Sequence, residues 1–382
     1  MNIPFHKPYI TEDDIVSVVD SLKKGWITMG NKTLEFEEKF NNYIGSQCSI
    51  AVNSCTAALH LALKVIGIVR GDEVIVPSTT FVATAEVVNY FNAKPVLVDI
   101  DSETHLIDVS KIEEKITKRT RAIIPVHFSG QPADMDEILE IAKRYNLYVI
   151  EDAAHALPAS YKGRKIGTIG DLTCFSFYAT KTLATGEGGM ITTENDEWAE
   201  RIRILRLHGI SKDAWKRYSR EGTWEYDVLE NGYKYNMTDI NAALGLAQLR
   251  KLEWMWKKRR EIAEKYNEAF KDLEEVTLYK VKEDRETSWH LYPLKLNLEA
   301  LKISRNEFIE RLKEKGIGTS VHFIPLYRFS YYRRFGYKIE DFPNSEWVFE
   351  RVVSLPIFPG MTDEEVNYVI ENVVEILKDA RR

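Results

Sequence analysis

Between residues 48 and 150, short apolar runs alternate with amphipathic ones, and this constrains the fold more than any other feature of the 382-residue chain. The pattern predicts strands over 49–52, 73–76, 95–98, 122–125 and 147–150. Helices are predicted between them, over 56–66, 83–91, 110–116 and 134–145. Strands that alternate with helices need crossover connections, which are right-handed and give a mostly parallel sheet covered on both sides. The expected fold class is therefore α/β. No internal repeat and no low-complexity segment interrupts the pattern.

The chain is too long for one small core, which implies two domains. Near the start, residues 11–24 read as an amphipathic helix with Thr11 as N-cap and Ile15, Val18, Val19 and Leu22 on one face. The GWITMGNK run that follows is not a phosphate loop, because Asn31 interrupts the required Gly-Lys pair. It is expected to be a small polar loop at a substrate mouth or a dimer contact. From Asp239 to about Leu273 the pattern predicts one helix, about 50 Å long, bridging a large domain (1–248) and a small α+β domain (249–382). In the small part we expect a strand over 289–296 and a helix over 304–316, capped by Ser304 with Glu307. A strand over 320–324 and a last helix capped by Thr362 complete it.

Composition narrows the function. A net charge of −6 leaves no electrostatic footprint for nucleic acid or an anionic membrane. The short basic run 257–260 lies inside a predicted helix and reads as a solvated face. Three cysteines, Cys48, Cys55 and Cys174, are odd in number and share no close spacing, which argues against a disulfide framework and a zinc site. The N-terminus has no apolar signal core, and no run is long enough to span a bilayer. The expectation is a soluble, cytoplasmic protein with no metal.

Ligands of such sheets sit beyond the carboxyl ends of the strands. One predicted strand end carries Asn53-Ser54-Cys55-Thr56-Ala57, where helix N–H groups and hydroxyls offer a phosphate cradle. A second carries Phe81, an aromatic able to cover a ring, and a third carries Glu151, Asp152 and His155. Adjacent residues of a strand point to opposite faces, so only one of the two carboxylates is expected in a site. The run from Asp171 to Thr193 is apolar, then glycine-rich, with Lys181 its one charge between Asp171 and Glu187. Burial favours the neutral, nucleophilic form of such a lysine. Each motif has a plainer reading: an N-cap, a core aromatic, a surface lysine. Together they match pyridoxal phosphate (PLP), which needs a lysine for its Schiff base, an Asp for its ring nitrogen and a helix N-terminus for its phosphate.

The run EDAAHALPASYKGRKIGTIGDLTCFSFYATKTLATGEGGMITT closely resembles the DegT-type nucleotide-sugar aminotransferases, fold-type I PLP enzymes. GWITMG, NSCTAALHLAL, GDEVIVPSTTFVATA, PVHFSGQPADMD, GYKYNMTDINAALGLAQL and GIGTSVHFIPLY follow in the family's order, so the resemblance covers essentially the whole chain. GYKYNMTDINAA, SWHLYPLKL and KEKGIGTSVHF look most like the UDP-4-amino-4-deoxy-L-arabinose aminotransferases and related 4-keto-sugar enzymes. The resemblance implies that Lys181 forms the Schiff base, Asp152 pairs with the ring nitrogen and His155 lies near the phenolic oxygen. It implies that Thr56, Ala57 and Ser176 hold the phosphate and that Phe81 covers the ring. Asn236 would reach the phosphate of a neighbouring subunit, giving a homodimer with shared sites.

His322, with Thr28 and Tyr327, would approach the sugar; a core or turn histidine is the plainer reading of His322. Two departures are mild: Cys at position 55, where many relatives have Gly or Ala, and Phe at 81, where close relatives carry Trp. The implied activity is a ping-pong transfer of an amino group from glutamate, leaving 2-oxoglutarate, to a nucleotide-linked keto sugar. The alternatives are a sugar dehydratase, in which histidine replaces the lysine, and a non-catalytic regulator on the same scaffold. A dehydrogenase is disfavoured because no strand is followed by Gly-x-Gly-x-x-Gly. Residues 211–235 read as a long functional loop, and with 327–337, bearing Arg328, Arg333 and Arg334, they are the expected nucleotide contacts.

Overall fold

The structure, a computed structural model, describes residues 1–211 and 225–382. Two N-terminal helices, α1 (Glu12–Lys24) and α2 (Asn31–Ile44), lead into the alternating region. There β1 (Cys48–Val52), α3 (Cys55–Val65), β2 (Glu73–Pro77), α4 (Ala83–Asn89) and β3 (Lys94–Val98) follow in turn. They are succeeded by β4 (Thr120–Ile123), α5 (Met135–Tyr145) and β5 (Tyr148–Asp152). After a hairpin of β6 (Ser160–Tyr161) and β7 (Arg164–Lys165) come β8 (Leu172–Ser176), β9 (Gly189–Thr193) and α6 (Asp196–Leu205).

The main sheet has seven strands in the order β1-β9-β8-β5-β4-β2-β3. From β8 to β3 all neighbours are parallel, and only β9 runs antiparallel to the strands beside it. Strands β1, β2, β8 and β9 are buried along their whole length, which is why they read as continuous apolar runs. This is the expected α/β architecture, covered by helices on both faces.

The C-terminal part contains α7 (Asp239–Arg250), α8 (Leu252–Phe270), β10 (Val276–Leu278), β11 (Arg285–Glu286), β12 (Tyr292–Leu296) and α9 (Arg305–Glu314). The short α10 (Ser330–Arg333), α11 (Pro343–Arg351), β13 (Val352–Leu355) and α12 (Asp363–Asp379) complete it. Strands β10, β12 and β13 form an antiparallel sheet of three. The expected caps are in place: the Ser304 hydroxyl accepts from Glu307 N, and that of Thr362 from Glu365 N.

Several local expectations are corrected. The single long helix is two, broken at Lys251 (φ −113°, ψ 8°). The Lys251 backbone bonds back to Gln248 while its side chain is drawn to Asp14 and the Thr11 hydroxyl of α1. Residues 110–116 form two 3₁₀ turns, not a helix, and the Asp108 carboxylate takes the Ser110 N–H, a local bond that competes with helical ones. Residues 320–324 make only the bridge from Ser320 to Ser354, and the 289–296 strand is confined to β12 because Trp289 is left-handed (φ 51°). In the basic run 257–260, Arg259 is fully buried instead of solvated.

The helix α2 adds to the expected elements: Phe36, Phe40 and Ile44 repeat at helical spacing and are buried. Its N-terminus is held by Asp239 of α7, whose Oδ1 accepts from Gly30 N (2.7 Å), Thr33 N (3.0 Å) and the Thr33 hydroxyl (2.8 Å). A carboxylate at that end also complements the helix dipole. The expected α1 helix forms, but Ile15, Val19 and Leu22, with Val16, face solvent while Asp14 and Ser21 are buried. Among the described residues no helix is long and apolar enough to cross a membrane.

Candidate active site

At the carboxyl ends of the parallel strands lies a cavity of about 510 Å³. Its wall brings together seven of the residues singled out in the sequence: Thr56, Phe81, Asp152, His155, Ser176, Lys181 and His322. They arrive from the start of α3, the loop after β2, the end of β5 and its following turn, the end of β8, the β8–β9 connection and the C-terminal part. Four residues lie outside the wall. Ala57 is buried behind it, and Tyr327 is buried in the core with its ring stacked 4.6 Å from Phe342. Thr28 is exposed, and its carbonyl accepts from Asp239 N. Asn236 is buried three residues from that bond, and its Oδ1 has no partner among the described residues.

Lys181 is positioned by a tight connection. Its N–H donates to the Tyr178 carbonyl (2.8 Å), and the Thr185 N–H returns to Phe177 (2.8 Å). Asn241 of α7 donates to the Thr185 and Glu187 carbonyls, fastening the turn from outside. Burial lowers the Lys181 pKa to about 8, against the opposing pull of Cys55 and Asp152. Burial thus raises the neutral, nucleophilic fraction of the amine near neutral pH, although the ammonium still predominates at pH 7.

The adjacent carboxylates Glu151 and Asp152 separate as the strand geometry requires. Asp152 faces the cavity, accepting from the Thr84 hydroxyl (2.7 Å) and Ala154 N (3.1 Å), and burial raises its pKa. Glu151 faces away and accepts from Gly170 N, the Thr173 hydroxyl and His127 Nε2. The Ala133 N–H donates to His127 Nδ1 (3.0 Å), so the imidazole hydrogen is on Nε2, directed at Glu151. His155 accepts from Ser129 N at Nδ1 (3.3 Å), leaving its hydrogen on Nε2. Burial first, then Lys181, keeps its pKa well below the usual range. The same two causes lower His322 to about 4, and the Ser354 hydroxyl holds its Nδ1 at 2.8 Å.

The start of α3 forms a cradle. The Ser54 hydroxyl caps the helix through Ala57 N (3.1 Å), so the free donors of the first turn are the Cys55 and Thr56 N–H groups. They approach β9 closely enough that a Cβ on Gly189 would lie 2.6 Å from the Ser54 carbonyl carbon and 2.8 Å from Cys55 N. The glycine-rich turn after Lys181 is therefore needed for the cradle to close. Together with the Ser176 hydroxyl, these donors suit a dianionic phosphate. The buried Asp152 suits a protonated pyridine nitrogen, and Lys181 an aldehyde. The residues present fit PLP.

The wall also holds residues that the sequence did not single out, among them His6, His290 and Phe323. His290 Nε2 is 3.4 Å from Lys181 Nζ, and its ring centroid is 4.4 Å from that of His155. His290 lies in the SWHLYPLKL run, but nothing in the local pattern reveals that it meets a residue 109 positions away.

This fold and this site define a fold-type I, PLP-dependent aminotransferase. The chain belongs to the DegT/DnrJ/EryC1/StrS aminotransferase family, whose profile matches residues 8–374. It is 59% identical over 380 residues to the uncharacterized protein MJ1066 of Methanocaldococcus jannaschii, covering 99% of this chain and 98% of that one. It is 49% identical, with the same coverage, to the spore coat polysaccharide biosynthesis protein SpsC of Bacillus subtilis. Among solved structures, the PLP form of Spr1654 from Streptococcus pneumoniae, assigned as a sugar aminotransferase, superimposes with a TM-score of 0.92 at 36% identity. That comparison covers 99% of both chains.

Proposed function

We propose that the protein transfers the amino group of glutamate to a nucleotide-linked keto sugar, with a UDP-linked 4-keto sugar as the first acceptor to test. The observation that carries this reading is the meeting, in one cavity, of Lys181, Asp152 and the open first turn of α3. When bound, PLP supplies an electron sink that lets a proton leave the carbon bearing the amine. The protein's part follows from its own residues. The Cys55 and Thr56 N–H groups and the Ser176 hydroxyl bind the phosphate, and Asp152 holds the ring nitrogen protonated. Lys181 Nζ, largely desolvated and lowered to about 8, takes up and returns the proton as general base and acid. The presence of Lys181 argues against a dehydratase, and the complete donor set argues against a regulator.

The rim supports a nucleotide-linked substrate. Phe81 is exposed at the mouth, and the Tyr332 hydroxyl anchors α10 to the Val82 carbonyl beside it. Arg333 and Arg334 on that segment are exposed, whereas Arg328 is engaged by Glu346. The proposed diphosphate contacts are thus Arg333 and Arg334. Trp215 and Trp224 of the expected functional loop lie outside the described residues.

A homodimer with shared sites is part of the proposal. Thr28 accepts from the Asp239 N–H, three residues along the chain from Asn236, and both Thr28 and Asn236 lie off the wall of their own cavity. In the proposed dimer, Asn236 of each subunit completes the phosphate site of the other, and Thr28 reaches the neighbouring sugar. The test is incubation with glutamate and a panel of UDP-, dTDP- and GDP-linked keto sugars, read by mass spectrometry. The expected result is an amino sugar nucleotide with an equivalent of 2-oxoglutarate. Glutamate consumption without any aminated nucleotide product would contradict the acceptor class.

A further inference from the structure

One buried cation has no role in this account. Arg259 of α8 is fully buried, and no carboxylate is among its hydrogen-bond partners. Its Nη1 donates to the carbonyls of Ile357 (2.8 Å), His290 (3.2 Å) and Trp289 (3.4 Å), while Nε and Nη2 have no partner among the described residues. Two of those carbonyls face the guanidinium because Trp289 is left-handed, a conformation a bulky side chain rarely adopts. The next residue, His290, thereby presents its ring to the cavity with Nε2 3.4 Å from Lys181 Nζ. Its Nδ1 is buried and has no partner among the described residues.

We propose that His290 is a catalytic residue that accepts a hydrogen bond from Lys181 Nζ, and that Arg259 is the positioning residue that holds His290 there. A strained residue and an unpaired buried guanidinium persist only where the surroundings fix them, and the polar side chain they direct at Lys181 Nζ is that of His290. With the amine donating, the imidazole accepts at Nε2 and keeps its hydrogen on Nδ1. This contact fixes the last torsion of Lys181 whenever the amine is free, so that Nζ stays directed into the cavity. The other charged or titratable groups around Nζ are Asp152, Cys55, His155, His6, His322 and Arg259 itself. The inference rests on Lys181 being the cofactor lysine.

The test uses His290→Leu, His290→Gln, Arg259→Lys and Arg259→Met with two readouts. The first is the pH dependence of Lys181 acylation by acetic anhydride in the apoprotein, quantified by peptide mass spectrometry. An acceptor stabilises the ammonium over the amine, so H290L lowers the midpoint, and H290Q, whose amide oxygen still accepts, leaves it near wild type. R259M, which removes a nearby cation, raises it.

The second readout is the single-turnover rate at which glutamate bleaches the visible band of the PLP-loaded enzyme. H290L slows it about tenfold or more, and H290Q restores most of it. R259K, which keeps the charge but loses the planar fork, slows it as well. An H290L protein with the wild-type midpoint and rate overturns the role of His290; wild-type rates in R259K and R259M overturn that of Arg259. If H290L does not fold, the shorter His290→Asn takes its place. A wild-type enzyme that glutamate does not bleach would refute glutamate as the donor, and the acylation profiles would still decide the His290 contact.

Discussion

Glu151 and Asp152 are joined by one peptide bond, yet their environments drive their ionisation in opposite directions. Burial acts on both; for Glu151 it is outweighed by the bonds from His127, Thr173 and Gly170, so its pKa falls, whereas for Asp152 it wins and the pKa rises. A lowered carboxylate contributes stability that is fully present above its unfolded pKa and is lost as pH falls through the folded value. A raised one costs stability once pH exceeds its unfolded value. Asp152→Asn should therefore leave the apoprotein at least as stable as wild type at pH 7, while abolishing turnover. Glu151→Gln should destabilise it by about 2 kcal/mol and remove part of the acid unfolding transition. Denaturant melts at pH 4 and pH 7 check both.

Gly189 is predicted to be intolerant of even one methyl. Its Cβ would press on backbone atoms of Ser54 and Cys55, which have no rotamer by which to retreat. Gly189→Ala should cost about 1–3 kcal/mol and weaken PLP retention, measured by thermal melts and by absorbance after dialysis. Retention equal to wild type would mean that the α3 turn is not the phosphate cradle.

Arg333→Ala and Arg334→Ala are expected to raise the KM for the nucleotide sugar, each by roughly fivefold, as befits exposed charges worth about 1 kcal/mol. The glutamate half-reaction should be unchanged, because these side chains are not among the residues that line the cavity. Arg328→Ala should instead lower stability, since Glu346 already engages that guanidinium. Steady-state kinetics with each substrate varied separates the two effects.

The exposed stripe Ile15, Val16, Val19 and Leu22 predicts self-association. Val19→Glu should shift the protein from the proposed dimer toward monomer in sedimentation velocity and lower turnover with it, if the sites are shared. A monomeric wild-type enzyme with full activity would contradict the shared site.

The alternation from Cys48 to Asp152 was legible because strands buried on both faces must be apolar throughout and their connecting helices amphipathic. That Lys181, Asp152, His155, Ser176, Thr56, Phe81 and His322 meet at one cavity was legible because strand ends mark the ligand side of such a sheet, and because the motifs resemble a known family. The break at Lys251 was not, since no Gly or Pro marks it; the cause is the attraction of Asp14, distant in sequence. The burial of Arg259 was hidden for a similar reason: its partners are carbonyls, which any residue supplies. The outward face of α1 was also illegible, because a period of 3.6 says which residues share a side but not what covers it.

The central claim, that Lys181 binds the cofactor and shuttles the proton as the amine of glutamate is transferred, is tested most directly by the visible spectrum of the PLP-loaded protein before and after adding glutamate. The account predicts a band of the lysine-bound cofactor that glutamate bleaches and a keto-sugar nucleotide restores, and that Lys181→Ala lacks, with turnover reduced by at least about 10²–10⁴-fold. A Lys181→Ala protein that still turns over, or a wild-type protein that shows no band after soaking in PLP, would contradict it.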